Sequence, residues 1–187
     1  MALRRPSGLI LYTAQDVARF CEVDLKTVHH WADKGKVACF RTEGRHLRFR
    51  RNDLVRFLRA HGYPMPDSVA RARASVALAA LGEPDLAKKL GARFTVRRHT
   101  SAIGAIASML SEQPDAVVFA LDDVSLGGAH AIGALKAAPE TAWPMLAALA
   151  ADEAGAAAAR SAGADLALPM RDAQKLPAEL ARLLAVT

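Results

Sequence analysis

The chain has 187 residues, a formal charge of +6 and 52% apolar residues, which suits one large domain or two small ones with enough apolar material to bury a core. No apolar run approaches the about 18 residues of a bilayer-spanning helix, and the basic start, Met1 to Arg5, is not followed by the apolar region of a signal peptide. The two cysteines, Cys21 and Cys39, stand far apart with no CxxC pair, which argues against a disulfide scaffold or a zinc site and fits a reducing cytoplasm.

Residues 13–22 (TAQDVARFCE) read as a short helix. Thr13 is its expected N-cap, with Asp16 completing a near capping box, and Val17, Phe20 and Cys21 share one face. Val23–Asp24 make a tight turn into a second helix over residues 25–34, capped by Asp24 and stopped by Gly35. Leu25, Val28 and Trp31/Ala32 give its apolar stripe. Two short helices on a tight turn form the helix-turn-helix pattern. Two β-like runs follow, Val37–Arg41 and His46–Arg50, with residues 42–45 between them as the turn of a hairpin, or wing. Residues 52–60 read as a third helix capped by Asn52, and Pro64 and Pro66 then extend and stiffen the chain.

Beyond that point strands and helices alternate. The expected strands are 75–81, 93–97, 116–121, 145–149 and 166–168. The expected helices are 84–90, 101–110 (Ile103, Ile106 and Leu110 inward), 129–136, 153–162 and 177–185. Short strands that are apolar on both faces, alternating with helices, imply a doubly wound parallel five-stranded α/β sheet. The expected organisation is a small winged helix-turn-helix domain at 9–62, a linker at 63–73 and an α/β domain at 74–187.

Charge follows the same division. Residues 1–66 carry 13 Lys/Arg against 6 Asp/Glu, and residues 67–187 carry 12 against 13. A basic unit joined to a near-neutral one suggests two domains with different partners. Small or polar side chains on a recognition helix can reach base edges, and cations around a glycine turn can meet phosphates or the minor groove. Lys26, Thr27, His29 and His30 occupy the side of the second helix away from Leu25, Val28 and Trp31. The wing supplies Arg41, Arg45, His46 and Arg48, and Thr13, Thr42 and Arg50 complete the expected contact set for double-stranded DNA. Trp31 and Phe49 are expected in the core. Arg51, Arg56 and Arg59 read equally well as solvated helix charges or as phosphate contacts.

The ordered pieces TAQDVARFCEV, KTVHHWADKGKV, RTEGRHLRF and NDLVRFLR resemble the MerR/excisionase-type winged helix-turn-helix family. Thr27, Val28 and Trp31 match its recognition helix, and Arg41, Thr42, Gly44, His46, Arg48 and Phe49 match its wing. The resemblance covers about a quarter of the chain, in several ordered pieces. It implies a DNA reader.

Residues 75–185 resemble a response-regulator receiver (flavodoxin-like) domain, most clearly through PDAVVFALDDVSLGG (residues 114–128), with APETAWPMLAALA and SAGADLALP following in order. A working receiver needs an acceptor Asp ending strand three, an acidic pair after strand one, a Ser/Thr ending strand four and a Lys before proline after strand five. The resemblance puts Ala120 at the acceptor position and Ala80, Leu81 and Gly82 after strand one, with Glu83 and Asp85 beyond. Leu149 falls at the Ser/Thr position, and Leu168 precedes Pro169. A rival alignment moves the acceptor to Asp122 or Asp123. Without the carboxylate, the metal-binding acids and the lysine, phosphorylation has neither a nucleophile nor a switch. A degenerate receiver (pseudo-receiver) then serves as an interaction surface. The Ala-rich helix (Ala156 to Ala159 and Ala162), with Leu176, Leu180, Leu183 and Leu184, is one candidate for homodimerisation, its alternative being packing on the domain's own sheet.

The expected function is a bacterial-type, DNA-binding transcription regulator, a homodimer in the cytoplasm at the nucleoid, with a possible protein partner on the receiver-like domain and no membrane association. The alternatives are a DNA-associated scaffold or polarity organiser, and a phosphorylation-dependent response regulator. The sequence offers no nucleophile–base pair, phosphate-cradling glycine loop or metal cluster, so no catalytic residue, cofactor or metal is expected.

Overall fold

A computed structural model of the protein describes residues 3–4, 10–79, 84–121, 127–139 and 141–186, and the chain divides between Ala72 and Arg73 into two units. The first holds β1 (Leu3–Arg4), β2 (Ile10–Thr13), α1 (Ala14–Cys21), α2 (Leu25–Asp33), β3 (Phe40–Arg41), β4 (Leu47–Arg50), α3 (Arg51–Ala60) and the single turn α4 (Asp67–Ala70). Thr13 closes a full capping box. Its Oγ1 accepts the Asp16 N–H at 3.1 Å, and Asp16 Oδ2 accepts the Thr13 N–H at 2.9 Å. Asp24 Oδ1 accepts the Thr27 N–H at 2.8 Å to start α2, and Gly35, at φ +66°, takes the left-handed turn after it.

The wing is smaller than the sequence suggests and belongs to a larger sheet. Its first strand is only Phe40–Arg41, and β4 begins at Leu47. The far side of β4 pairs antiparallel with β2, Tyr12 opposite Phe49 and Thr13 opposite Arg48, giving the order β1-β2-β4-β3. A four-residue strand such as Ile10–Thr13 is too short to register as a period, so sequence reasoning missed it. Along β4, Leu47 and Phe49 turn inward while Arg48 and Arg50 stay half-buried on the other side.

Asn52 does not cap the third helix. β4 runs directly into α3, so Arg50 holds the capping position with no side-chain cap bond, and Asn52 is buried in the first turn. Arg51 is not a solvated charge. It is 1% exposed, and its Nε and Nη2 donate to the Val69 carbonyl at 3.2 and 3.0 Å. Only the return of the chain through α4 provides that acceptor, which helical spacing cannot reveal. Val17, Val28, Phe49, Leu54 and Leu58 form the centre of the unit. Trp31 packs against Phe57 and Tyr63, with ring centroids 5.1 and 6.1 Å away. Leu25 leaves its expected stripe and is exposed.

The second unit alternates β5 (Ser75–Ala79), α5 (Pro84–Gly91), β6 (Thr95–Arg98), α6 (Ala102–Ser111), β7 (Ala116–Ala120), α7 (Ala129–Ala137), β8 (Met145–Ala150), α8 (Glu153–Ser161), β9 (Leu166–Pro169) and α9 (Leu176–Leu184), with a 3-10 segment at Met170–Lys175. All strand pairs are parallel, in the order β6-β5-β7-β8-β9. This is the doubly wound, flavodoxin-like arrangement. One face packs Val76, Leu78, Val118 and Leu149 against α5 and α9. The other packs Ala77, Val117, Phe119 and Leu146 against α6, α7 and α8. A central sheet covered on both sides explains why β7 and β8 are apolar at nearly every position.

One packing expectation is corrected here, and the choice left open for the Ala-rich helix and its leucines is decided for their buried members. α6 turns Ala102, Ala105 and Met109 inward, with Ile106 partly buried against the same cluster as expected, while Ile103 and Leu110 are 62% and 61% exposed. A helix with apolar residues on several sides does not declare which stripe faces the sheet. Ala156 and Ala159, with Leu176, Leu180 and Leu184, are buried in the unit's own core, so these residues are not free to meet a second copy.

Candidate nucleic-acid interface

The start of α1, the outer side of α2 and the hairpin enclose one groove in the first unit. Thr13, Gln15, Leu25, His29, Arg45, His46 and Arg48 line it, and no acidic residue does. Each side chain has a local reason for its place. α2 starts at the Asp24 cap, which sends Leu25 and His29, four residues apart, to the same side. Lys26 and His30 are exposed beside them, and Thr27 is half-buried. At the hairpin tip the Arg45 N–H donates to the Thr42 carbonyl at 2.7 Å and the Thr42 N–H donates to the His46 carbonyl at 3.0 Å. This tight turn holds Arg45 in the left-handed region at φ +57° and leaves Arg45 and His46 exposed.

Not every predicted contact residue is equally free. The Thr13 hydroxyl, besides capping α1, donates to Asp16 Oδ2 at 2.8 Å. Arg41 pairs with Asp33 at 3.0 Å and donates to the Arg45 carbonyl at 3.1 Å, so it braces the tip. Arg48 donates to the Leu47 carbonyl at 2.8 Å. Arg50 lies 5.0 Å from the Phe40 ring centroid and 3.9 Å from Asp53, turned toward α3. Burial lowers its guanidinium from the ordinary value while Asp53 works the other way. Burial in turn pushes the Asp53 carboxyl up, against the pull of Arg56 and Arg50. Gln15, exposed in the first turn of α1, is a groove residue that sequence reasoning missed. Its position at the entry of the first helix of a helix-turn-helix was the available signal.

Cys21 is buried and its thiol is pushed up to about 11 by desolvation; Cys39 is half-buried, and desolvation raises it too. Among the described residues no group of three or more His, Cys, Asp or Glu could hold a metal ion, and no helix is long and apolar enough to cross a membrane.

In an open parallel sheet, ligands bind beyond the carboxyl ends of the strands, where the strand order reverses. In the second unit the last residues of the central strands β5, β7 and β8 are apolar. β5 ends at Ala79 and β7 at Ala120, which is 3% exposed and in register with Leu149 of β8. Leu149 is in register with Leu168, and Ala150 with Pro169. Ala80, Leu81, Gly82 and Glu83 after β5, and Asp122 and Asp123 after β7, lie outside the described residues.

Residues 11–62 match the family model described as a helix-turn-helix domain. No curated protein matches the chain. Solved structures similar to the second unit include a putative response regulator from Chloroflexus aurantiacus, 21% identical with a TM-score of 0.52, the match covering 60% of this chain and 98% of that one. A response regulator from Desulfuromonas acetoxidans is 22% identical with a TM-score of 0.50, over 59% of this chain and 96% of that one. A response regulator from Thermotoga maritima is 15% identical with a TM-score of 0.51, over 60% and 98%. At such identities the likeness is one of fold. The chain therefore joins an N-terminal helix-turn-helix domain to a C-terminal unit with the receiver-like fold, an architecture consistent with a DNA-binding regulator.

Proposed function

We propose that this protein is a DNA-binding transcriptional regulator whose MerR/excisionase-like first domain reads duplex DNA, and whose second domain is a pseudo-receiver that acts without phosphorylation as a surface for dimerisation or a protein partner. The groove free of acidic residues between α1, α2 and the hairpin carries this reading. In it α2 enters the major groove, with His29, His30 and Thr27 toward base edges. Thr13, Lys26, Arg45, His46 and Arg48 meet backbone phosphates, and Arg41, Thr42 and Arg50 hold the wing in shape at its margin. The reader spans 9–62, a connector 63–73 and the pseudo-receiver 74–187. The protein works in the cytoplasm, at the nucleoid, as a homodimer that places two readers on two half-sites and gains avidity through the connector.

Ala120 and Leu149 supply neither nucleophile nor hydroxyl at the strand ends, which supports phosphorylation independence. Selection of bound sequences from a random duplex pool is the test of the first domain. The expected result is one enriched motif in two spaced copies. No enrichment, with occupancy scattered over the genome rather than at promoters, would instead make the protein a DNA-associated scaffold. Incubation with acetyl phosphate and Mg²⁺ should leave the protein unlabelled, and an acyl phosphate at Asp122 or Asp123 would make it a phosphorylation-dependent regulator.

A further inference from the structure

The near-neutral charge of the second unit hides a strong internal separation. Residues 73–98 carry six Lys/Arg against two Asp/Glu, whereas residues 99–187 carry five against ten. The basic part is not dispersed in space, because these residues build α5 and the edge strand β6. Arg93 lies in the turn between α5 and β6, its N–H donating to the Leu90 carbonyl at 3.0 Å. Lys88 and Lys89 occupy the last turn of α5. Arg98 shares its side of β6 with Val96, which packs on the core cluster that contains α5 residues Leu86 and Leu90.

Some of these charges have a local purpose. Arg73 donates to the Gly91 and Ala92 carbonyls at 2.6 and 3.3 Å and so finishes α5. Arg97 is paired with Glu112. Lysines in the last turn of a helix complement its dipole, which accounts for part of the placement of Lys88 and Lys89. Arg93 and Arg98 have no such account. Lys88, Lys89, Arg93 and Arg98 are all exposed, and none has an ion-pair partner among the described residues.

The open edge of β6 adds backbone donors. The N–H groups of Thr95 and His99 point at β5, at 2.9 and 2.8 Å from the Ala74 and Leu78 carbonyls, so by strand alternation those of Val96 and Arg98 point outward. Cationic side chains beside outward amides suit an anionic polymer. Protein partners are instead held at well-packed, desolvated centres in which Trp and Tyr accompany Arg. Among the described residues this edge exposes no large apolar side chain: beside Lys88, Lys89, Arg93 and Arg98 it exposes Asp85, Ala92, Thr95 and Arg97, and the exposed large apolar residues described in the unit, Ile103 and Leu110, sit on α6, which covers the opposite face of the sheet.

We infer that the α5–β6 edge of the second unit is a second, sequence-independent contact surface for the nucleic-acid phosphate backbone, with Lys88, Lys89, Arg93 and Arg98 as its cations. The inference goes beyond the reading of the first unit as a DNA reader and rests on it only in that one duplex serves both. Each phosphate contact contributes about 0.9 to the slope of log affinity against log salt, so the edge is testable in the full-length protein. Binding to a long random-sequence duplex is measured over a salt series for the unsubstituted chain, for K88Q/K89Q/R93Q/R98Q and for R45Q/R48Q, with matched circular dichroism melts. The edge variant is expected to bind with a slope shallower by about two to three. An unchanged slope overturns the edge and leaves the helix-turn-helix reading standing. Loss of binding in the edge variant with none in R45Q/R48Q overturns that reading and leaves the edge. If the quadruple variant misfolds, R93Q/R98Q is expected to show a slope shallower by about one to two, and no change there overturns the edge. An edge variant that keeps duplex binding but loses binding to polyglutamate would reassign the surface to an acidic protein and overturn it as a nucleic-acid contact.

Discussion

Asp16, Arg51, Asn52 and Asp53 are buried in the first unit, whereas Ser108 is the one buried polar side chain of the second among the described residues. The first unit is small, its strands are two to four residues long, and its surface is committed to charge. Its β4–α3 junction is therefore held by polar groups: Arg51 reaches the Val69 carbonyl, and Asp53 stands between Arg50 and Arg56. The second unit wraps an apolar parallel sheet in helices and needs no such devices. Buried polar groups hold only when satisfied, so the first unit should be sensitive to losing single hydrogen bonds and the second to losing volume.

The largest expected effects sharpen that division. Phe119→Ala should destabilise the second unit by about 3–5 kcal/mol, and Phe49→Ala should destabilise the first by a similar amount. Calorimetry is expected to show two transitions, each moved by only one substitution. A single transition moved equally by both would break the comparison. Arg51→Met keeps volume but leaves the Val69 carbonyl without its donors and should cost about 1–3 kcal/mol in a urea melt. A change within about 0.5 kcal/mol would mark it as an ordinary surface charge.

Thr13→Ala should cost about 1 kcal/mol through the lost cap. It should also alter the acid limb. Burial works to raise the Asp16 carboxyl, but the backbone and hydroxyl hydrogen bonds from Thr13, together with nearby positive charge including Arg19, outweigh it and hold Asp16 below its ordinary 3.8. That contribution is full above the unfolded value and is lost as pH falls through the folded one. In unfolding measured from neutral pH downward, Thr13→Ala is expected to lose less stability on acidification than the unsubstituted chain. The smallest effect is chemical. With its thiol at about 11, Cys21 should resist alkylation at neutral pH until the first unit unfolds. Rapid labelling of native protein would show that this core opens far more readily than its packing implies.

Much of the architecture is legible in local patterns because its causes are local. Thr13 with Asp16, Asp24 before α2 and Gly35 after it are short-range hydrogen-bond and backbone devices, and each does what its spacing announces. Leu47 and Phe49 face inward because strand side chains alternate. The five strand–helix repeats declare a parallel sheet because only a sheet covered on both faces takes apolar strands. The candidate groove was half visible: His29, Arg45, His46 and Arg48 follow from helix and hairpin phase, but Gln15 and the exposed Leu25 do not.

Sequence alone determined most of the elements, the Thr13 and Asp24 caps, the parallel sheet and the basic character of the first third, since these depend on neighbours a few residues apart and on summed charge. Tertiary structure decided which chemically equivalent residues carry which task. It sent Arg51 to a carbonyl 18 residues away and turned Arg50 toward Asp53 while leaving Arg45 at the tip. It chose which apolar stripe of α6 meets the sheet, and it gathered the cations of α5 and β6 on one edge of a unit whose total charge is near zero. The reason is range: a side chain's partner across the fold is set by strand order and chain return, which no local period encodes.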